Sequence, residues 1–130
     1  MQAAGLSVSM VDIADNCLDK AVKEKLQHQL LITNLWEAID LPKARYGYCT
    51  DVMEHIPPEH VQAVLENIGW LCKFAFFTIC FNKDHFGKEV GADLHLTVRP
   101  FTWWRDKLRE LGTVLEARDL IGEGVFYVEF

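Results

Sequence analysis

Residues Cys49–His60 read CTDVMEHIPPEH. The apolar stretch YGYCT ends here, and Asp51, Glu54 and His55 follow at i, i+3 and i+4 before a Pro-Pro pair. On a helical turn that spacing brings two carboxylates and an imidazole to one side. Pro57-Pro58 suits the start of a further helix, where a missing N–H would be unpaired anyway. The stretch therefore predicts a strand, a polar turn and a helix. The turn is either a cap that shapes a pocket wall or the floor of an active site.

Working outward, Val61, Val64, Leu65, Ile68 and Leu71 form the apolar stripe of the helix after the prolines. FAFFTICF (74–81) is apolar throughout, as a strand covered on both faces would be. A polar loop with two glycines (82–100) follows, and loops of that length are often functional. Thr102 is placed to cap a helix running to about Leu111, with Trp104 and Leu108 inward; Trp103 cannot face the same way and falls to a substrate loop or an interface. VLEARDL and VFYVEF alternate and are joined by IGEG, a hairpin signal. Before the opening stretch, LSVSMVDIA reads as a strand ending near Asp12. A helix capped by Asp15 or Asn16 runs to about His28, with Leu18, Val22 and Leu26 on one face, and LLITNLW reads as a second strand. The order is β-α-β-β-α-β-α-β-β. It predicts an α/β three-layer sandwich with a mostly parallel sheet closed by an antiparallel hairpin.

With 130 residues, half of them hydrophobic, one domain over 1–130 with a real core is expected. A formal charge of −6 disfavours a general grip on nucleic-acid phosphates, although Lys83, Lys88, Arg99, Arg105, Lys107 and Arg109 gather in the second half. Cys17, Cys49, Cys72 and Cys80 include no CxxC pair and predict reduced thiols in a cytoplasmic protein. Residues 1–15 hold two acids and no basic start, unlike a secretory leader, and the run 74–81 is too short to span a bilayer. No membrane association is expected.

With these elements in place, the chain resembles class I S-adenosylmethionine-dependent methyltransferases of a Rossmann-like fold, and in particular short phage-encoded forms. DVMEHIPPEHV is the most specific match, and the resemblance extends from VDIA to the final hairpin. It implies that Asp12, with Ile13 beside it, binds the cofactor ribose, that Asn34, Leu35 and Trp36 meet the adenine, and that Cys49 and Thr50 lie beneath the methyl donor. It implies catalytic roles for Asp51, Glu54, His55 and His95, with His55 or His95 as base. The cluster is also similar to the ExxEH motif of metal-dependent O-methyltransferases, with His95 supplied from the later loop. The metal alternative is thus Mg²⁺ or Mn²⁺ on Asp51, Glu54, His55 and His95, with Asp51 in place of the usual first Glu.

The family's first strand and glycine-rich turn would precede Gly5 and are missing from the sequence. Two forms follow: a fragment, or a minimal domain in which VSMVDIA pairs directly with YGYCT or a second subunit fills the gap. The leading function is methyl transfer to an unidentified hydroxyl or amine. The alternative is a non-catalytic cofactor-binding or partner-subunit module, and nucleic-acid binding through the basic second half is a third. The resemblance implies S-adenosylmethionine as cofactor; the expected location is cytoplasmic (a host's, for a phage protein), and the expected partner is a second copy of the chain. Sedimentation velocity is expected to show a homo-oligomer, most simply a dimer; a well-behaved monomer that still binds cofactor contradicts it.

Overall fold

The computed structural model describes residues 5–16, 18–26 and 28–130. Cys17, and the side chain of Leu26 expected on the inner helix face, lie outside the described residues. The contacts gather in two compact units, Met1–Pro42 and Lys43–Phe130.

The first unit is a β-α-β segment: β1 (Met10–Asp12), α1 (Lys20–Leu26) and β2 (Leu30–Ile32). The two strands pair in parallel, Met10 opposite Leu30 and Asp12 opposite Ile32. Both are shorter than their apolar patterns suggest, and residues 33–36 leave the strand for a turn. The helix begins later than Asp15 because Asp19 is its cap: the Asp19 carboxylate accepts the N–H groups of Ala21 (2.8 Å) and Val22 (3.4 Å). Asp15 instead forms an ion pair with Lys23. The hydrogen bond and charge of Lys23 hold its carboxyl below the usual range. Val22 is exposed, not inward-facing.

The second unit holds β3 (Ala44–Thr50), α2 (Val61–Leu71), β4 (Cys72–Cys80), α3 (Gly87–Val90), α4 (Phe101–Arg109), β5 (Thr113–Leu120) and β6 (Glu123–Glu129). The strand order is β3-β4-β6-β5. β3 and β4 are parallel, while β6 runs antiparallel to both β4 and β5. The sheet is therefore mixed. Three strands share a direction, as a mostly parallel sheet requires, yet most of its pairings are antiparallel because the hairpin inserts its last strand inward. The hairpin turns at Ile121-Gly122, where Gly122 has φ +82° and a Cβ would collide with the Asn82 side chain.

Alternation divides the sheet faces. Ala75, Phe77 and Ile79 of β4 and Phe126 and Val128 of β6 are buried, as are Val64 and Leu65 of α2 and Trp104 and Leu108 of α4. Phe101 stacks on Phe126 at 5.2 Å between ring centroids, and the Phe130 ring meets Phe77 at 6.5 Å. The other face is an aromatic ladder: Tyr46 on Phe74, Phe74 on Tyr127, and Tyr48 on Phe76. α4 starts at Phe101, after an extended Pro100, so Thr102 lies inside the helix and does not cap it. The expected loop 82–100 contains the one-turn helix α3, ended by Gly91 at φ +74°.

Phe77→Ala is expected to cost about 3–5 kcal/mol, the scale of a truncated buried aromatic. Tyr48→Ala on the exposed ladder is expected to cost less than about 1 kcal/mol. Denaturant unfolding of both variants checks the assignment of faces, and equal costs would contradict it.

Candidate functional site

In the first unit the candidate groups collect at the C-terminal ends of β1 and β2. Asp12 is half-buried, and its Oδ1 accepts the Ala14 N–H at 3.1 Å. Its carbonyl accepts the Thr33 N–H at 3.0 Å, which ties the two strand ends together. Ile13 is exposed. Asn34, Leu35 and Trp36 lie half-buried in the turn after β2. The turn is held by Glu37, which the sequence reading did not single out. Its carboxylate accepts from Asn34 Nδ2 (2.7 Å) and Thr33 Oγ1 (3.0 Å), and these bonds, Asn34 first, hold its carboxyl below the usual range. An Asn and a Glu three residues apart are the signal that could have found it. The arrangement offers a carboxylate beside a fixed turn, suited to two adjacent hydroxyls and a flat ring.

In the second unit β3 ends at Thr50, and Asp51 follows with φ +53°. This left-handed backbone is unusual for a residue other than glycine, though Asp tolerates it better than most. The Asp51 N–H still reaches Thr78 O at 3.1 Å, so the chain leaves the sheet immediately afterwards. Cys49 points inward. Burial, then the charges of Glu54 and Asp51, pushes its thiol up to about 12, so it is neither nucleophile nor ligand near neutral pH. Thr50 is half-buried.

The expected helical turn is a 3-10 turn, Met53–His55, and a second one, Pro58–His60, leads into α2. This tighter winding sends Glu54 inward and His55 outward and leaves Asp51 outside the cluster. The shared face predicted for Asp51, Glu54 and His55 is therefore not formed. What forms instead brings Glu54, His55 and His95 together: one ligand-capable atom from each lies within 4.8 Å of the others. The imidazole rings are 4.8 Å apart in an edge-on arrangement.

Glu54 organises this cluster. It is 1% exposed. Its Oε1 accepts the Cys80 N–H at 3.1 Å, at the end of β4. Its backbone carbonyl accepts both Leu96 N–H (2.8 Å) and Thr97 N–H (2.9 Å). Thr97, also buried, donates its hydroxyl to Ile56 O at 2.6 Å. The long loop is thereby strapped to the turn after β3, and His95 is delivered beside His55. Glu54 Oε2 is buried with no hydrogen-bond partner among the described residues. Nothing in the local sequence marks Thr97 as this anchor, because its partner lies 41 residues away.

The imidazoles are oriented by backbone carbonyls: Leu94 O at 3.0 Å from His55 Nδ1 and Asn82 O at 2.6 Å from His95 Nδ1. A carbonyl only accepts, so each Nδ1 carries the hydrogen and each Nε2 is left to take a proton or a ligand. A metal-binding histidine is usually held in the same way. Two imidazole nitrogens and an unpartnered buried carboxylate oxygen could hold a divalent cation. His95 also borders a cavity of about 300 Å³ whose lining includes Lys83, Asp84, Asp93 and Arg99.

No family model matches the sequence, and no curated protein matches it. Solved structures do. An O-methyltransferase family protein from Burkholderia thailandensis aligns with TM-score 0.62 and 14% identity over 85% of this chain and 39% of its own. An S-adenosylmethionine-dependent methyltransferase from Clostridium acetobutylicum gives 0.70 and 9% over 98% and 76%. Magnesium protoporphyrin IX methyltransferase from Synechocystis, with bound S-adenosylhomocysteine, gives 0.66 and 13% over 98% and 65%. The chain thus has the α/β fold of S-adenosylmethionine-dependent methyltransferases and spans well under half of the first of these proteins. No helix among the described residues is long and apolar enough to cross a membrane.

Glu54→Ala is expected to lower stability by about 1–3 kcal/mol, since it strands the Cys80 N–H. Glu54→Gln, which keeps an acceptor there, is expected to recover most of that loss. Chemical denaturation decides it; equal losses in the two variants would show that the hydrogen bond is not what matters.

Proposed function

We propose that the chain transfers a methyl group from S-adenosylmethionine to a hydroxyl or amine acceptor. The single observation that carries this reading is the position of Asp12. It is a half-buried carboxylate at the end of a parallel strand, beside the fixed 33–37 turn, in a chain with a methyltransferase fold. Asp12 would accept the ribose hydroxyls, with Ile13, Asn34, Leu35 and Trp36 around the nucleoside.

S-adenosylmethionine would supply an electrophilic methyl group. The chain would then have to orient the acceptor and take its proton as the new bond forms. His95 or His55 would do so at Nε2, the nitrogen its carbonyl contact leaves free. Glu54 would position rather than react, and Asp51 would shape the turn.

The same cluster also supports a metal-assisted version in which Glu54, His55 and His95 hold the cation. Two nitrogens and one oxygen suit Mn²⁺ better than Mg²⁺, which prefers oxygen ligands. Manganese would orient the acceptor oxygen and lower its pKa.

Calorimetry is expected to show S-adenosylhomocysteine binding that Asp12→Ala weakens by about 1–3 kcal/mol, the scale of lost charge-assisted hydrogen bonds. Unchanged affinity removes the ribose assignment. His95→Ala should keep the melting temperature and that affinity while abolishing turnover of any acceptor found. Binding without turnover in the unmodified chain would favour the non-catalytic module. For the metal version, Mn²⁺ should raise the melting temperature, EDTA should reverse the rise, and His55→Ala should remove it; no shift with Mn²⁺ ends that version.

A further inference from the structure

We propose that the cavity beside His95 is an oxyanion site, and that the methyl acceptor is a small molecule bearing a carboxylate or phosphate held there by Lys83 and Arg99. The ligand's role as methyl acceptor rests on the methyl-transfer reading; the oxyanion site stands on the cavity alone.

The cavity, about 300 Å³, is of a size to take a small molecule. Lys83 and Arg99 both line it, and neither has an ion-pair partner among the described residues. Other cations nearby are engaged: Arg105 and Arg109 meet Asp106, and Lys107 meets Glu110. Arg99 is held without a carboxylate, since its guanidinium carbon lies 5.7 Å from the centroid of the Trp103 ring. Contact with an aromatic face leaves the in-plane N–H groups of a guanidinium free, and their fork matches a carboxylate or phosphate edge.

Two acids share the lining, Asp84 and Asp93. Asp84 is already committed, because its carboxylate accepts the backbone N–H groups of Phe86 (3.0 Å) and Gly87. Burial pushes its carboxyl up, but these bonds and the nearby His95 outweigh that and leave it below the usual range. It therefore stays ionised, shapes the loop and faces His95. The signs nearly balance across the cavity, so selection for an anion would come from directed donors rather than from bulk charge. One wall is Leu96, whose N–H is pinned to Glu54 O. The wall is thus fixed to the turn that carries His55, and an acceptor anchored by its anionic end would present its nucleophile next to His95.

The test is a ¹H–¹⁵N NMR titration of the full chain with sodium phosphate and, separately, sodium acetate, each against sodium chloride at matched ionic strength. The reporters are Arg99 Nε–H and Trp103 Nε1–H. The expected result is a saturable shift of both signals with phosphate or acetate and none with chloride. Tighter binding by one of the two identifies the group on the acceptor. In the Lys83→Gln/Arg99→Gln variant, read at Trp103, affinity should fall at least tenfold. Both replaced side chains are exposed, and the single Lys83→Gln variant, read at Arg99, gives the same test with a smaller drop. Shifts that follow chloride, or equal affinity in the variants, overturn the site. Calorimetry with S-adenosylhomocysteine on the same samples separates the two readings. If that ligand binds while phosphate and acetate do not, the oxyanion site falls alone. If an anion binds while that ligand does not, methyl transfer falls and the oxyanion site remains.

Discussion

Glu54 is the constraint on which the second unit's site depends. Its buried carboxylate and its carbonyl reach two elements distant in sequence: the end of β4, through Cys80 N–H, and the 96–97 segment of the long loop. A charged side chain is costly to bury without partners. Here one oxygen is satisfied by the backbone, and the other has no hydrogen-bond partner among the described residues, in a side chain that neighbours both imidazoles. Such an orphaned oxygen calls for a functional explanation more than a structural one. A cation or a protonated imidazole would satisfy it.

The same contacts explain why the loop can carry chemistry. A segment of nineteen polar and apolar residues without a strand of its own would be expected to be mobile. Thr97 is buried and bonded to Ile56, and His95 is bonded to Asn82 at the loop's own start. His95 is therefore set by a closed ring of hydrogen bonds rather than by the loop's composition. A base must be in position before the acceptor arrives if alignment is to lower the barrier.

Much of the scaffold was legible. The apolar run at β4, the stripe of α2 and the hairpin at Ile121-Gly122 follow from periodicity and turn chemistry, signals that are local in the chain. The N-terminal elements were read too long: apolar patterning does not show where a strand stops pairing, and Asp19 competes with Asp15 as a cap only through geometry. The residues of the site were named, but not their roles. Spacing of i, i+3 and i+4 assumes α-helical winding, and the 3-10 turn at Met53–His55 turns Glu54 inward and drops Asp51 from the group. Thr97, Asn82 and Leu94 act through contacts 13 to 41 residues away, which no local pattern encodes.

For methyl transfer from S-adenosylmethionine, Asp12 and the 33–37 turn would have to hold the nucleoside. Hydrogen–deuterium exchange of the full chain with and without S-adenosylhomocysteine tests it most directly, because it reports each segment separately and needs no acceptor. Slower exchange at residues 12–14 and 33–37 is the result the account predicts. Unchanged exchange at saturating ligand, or protection that leaves 12–14 and 33–37 untouched, would contradict it.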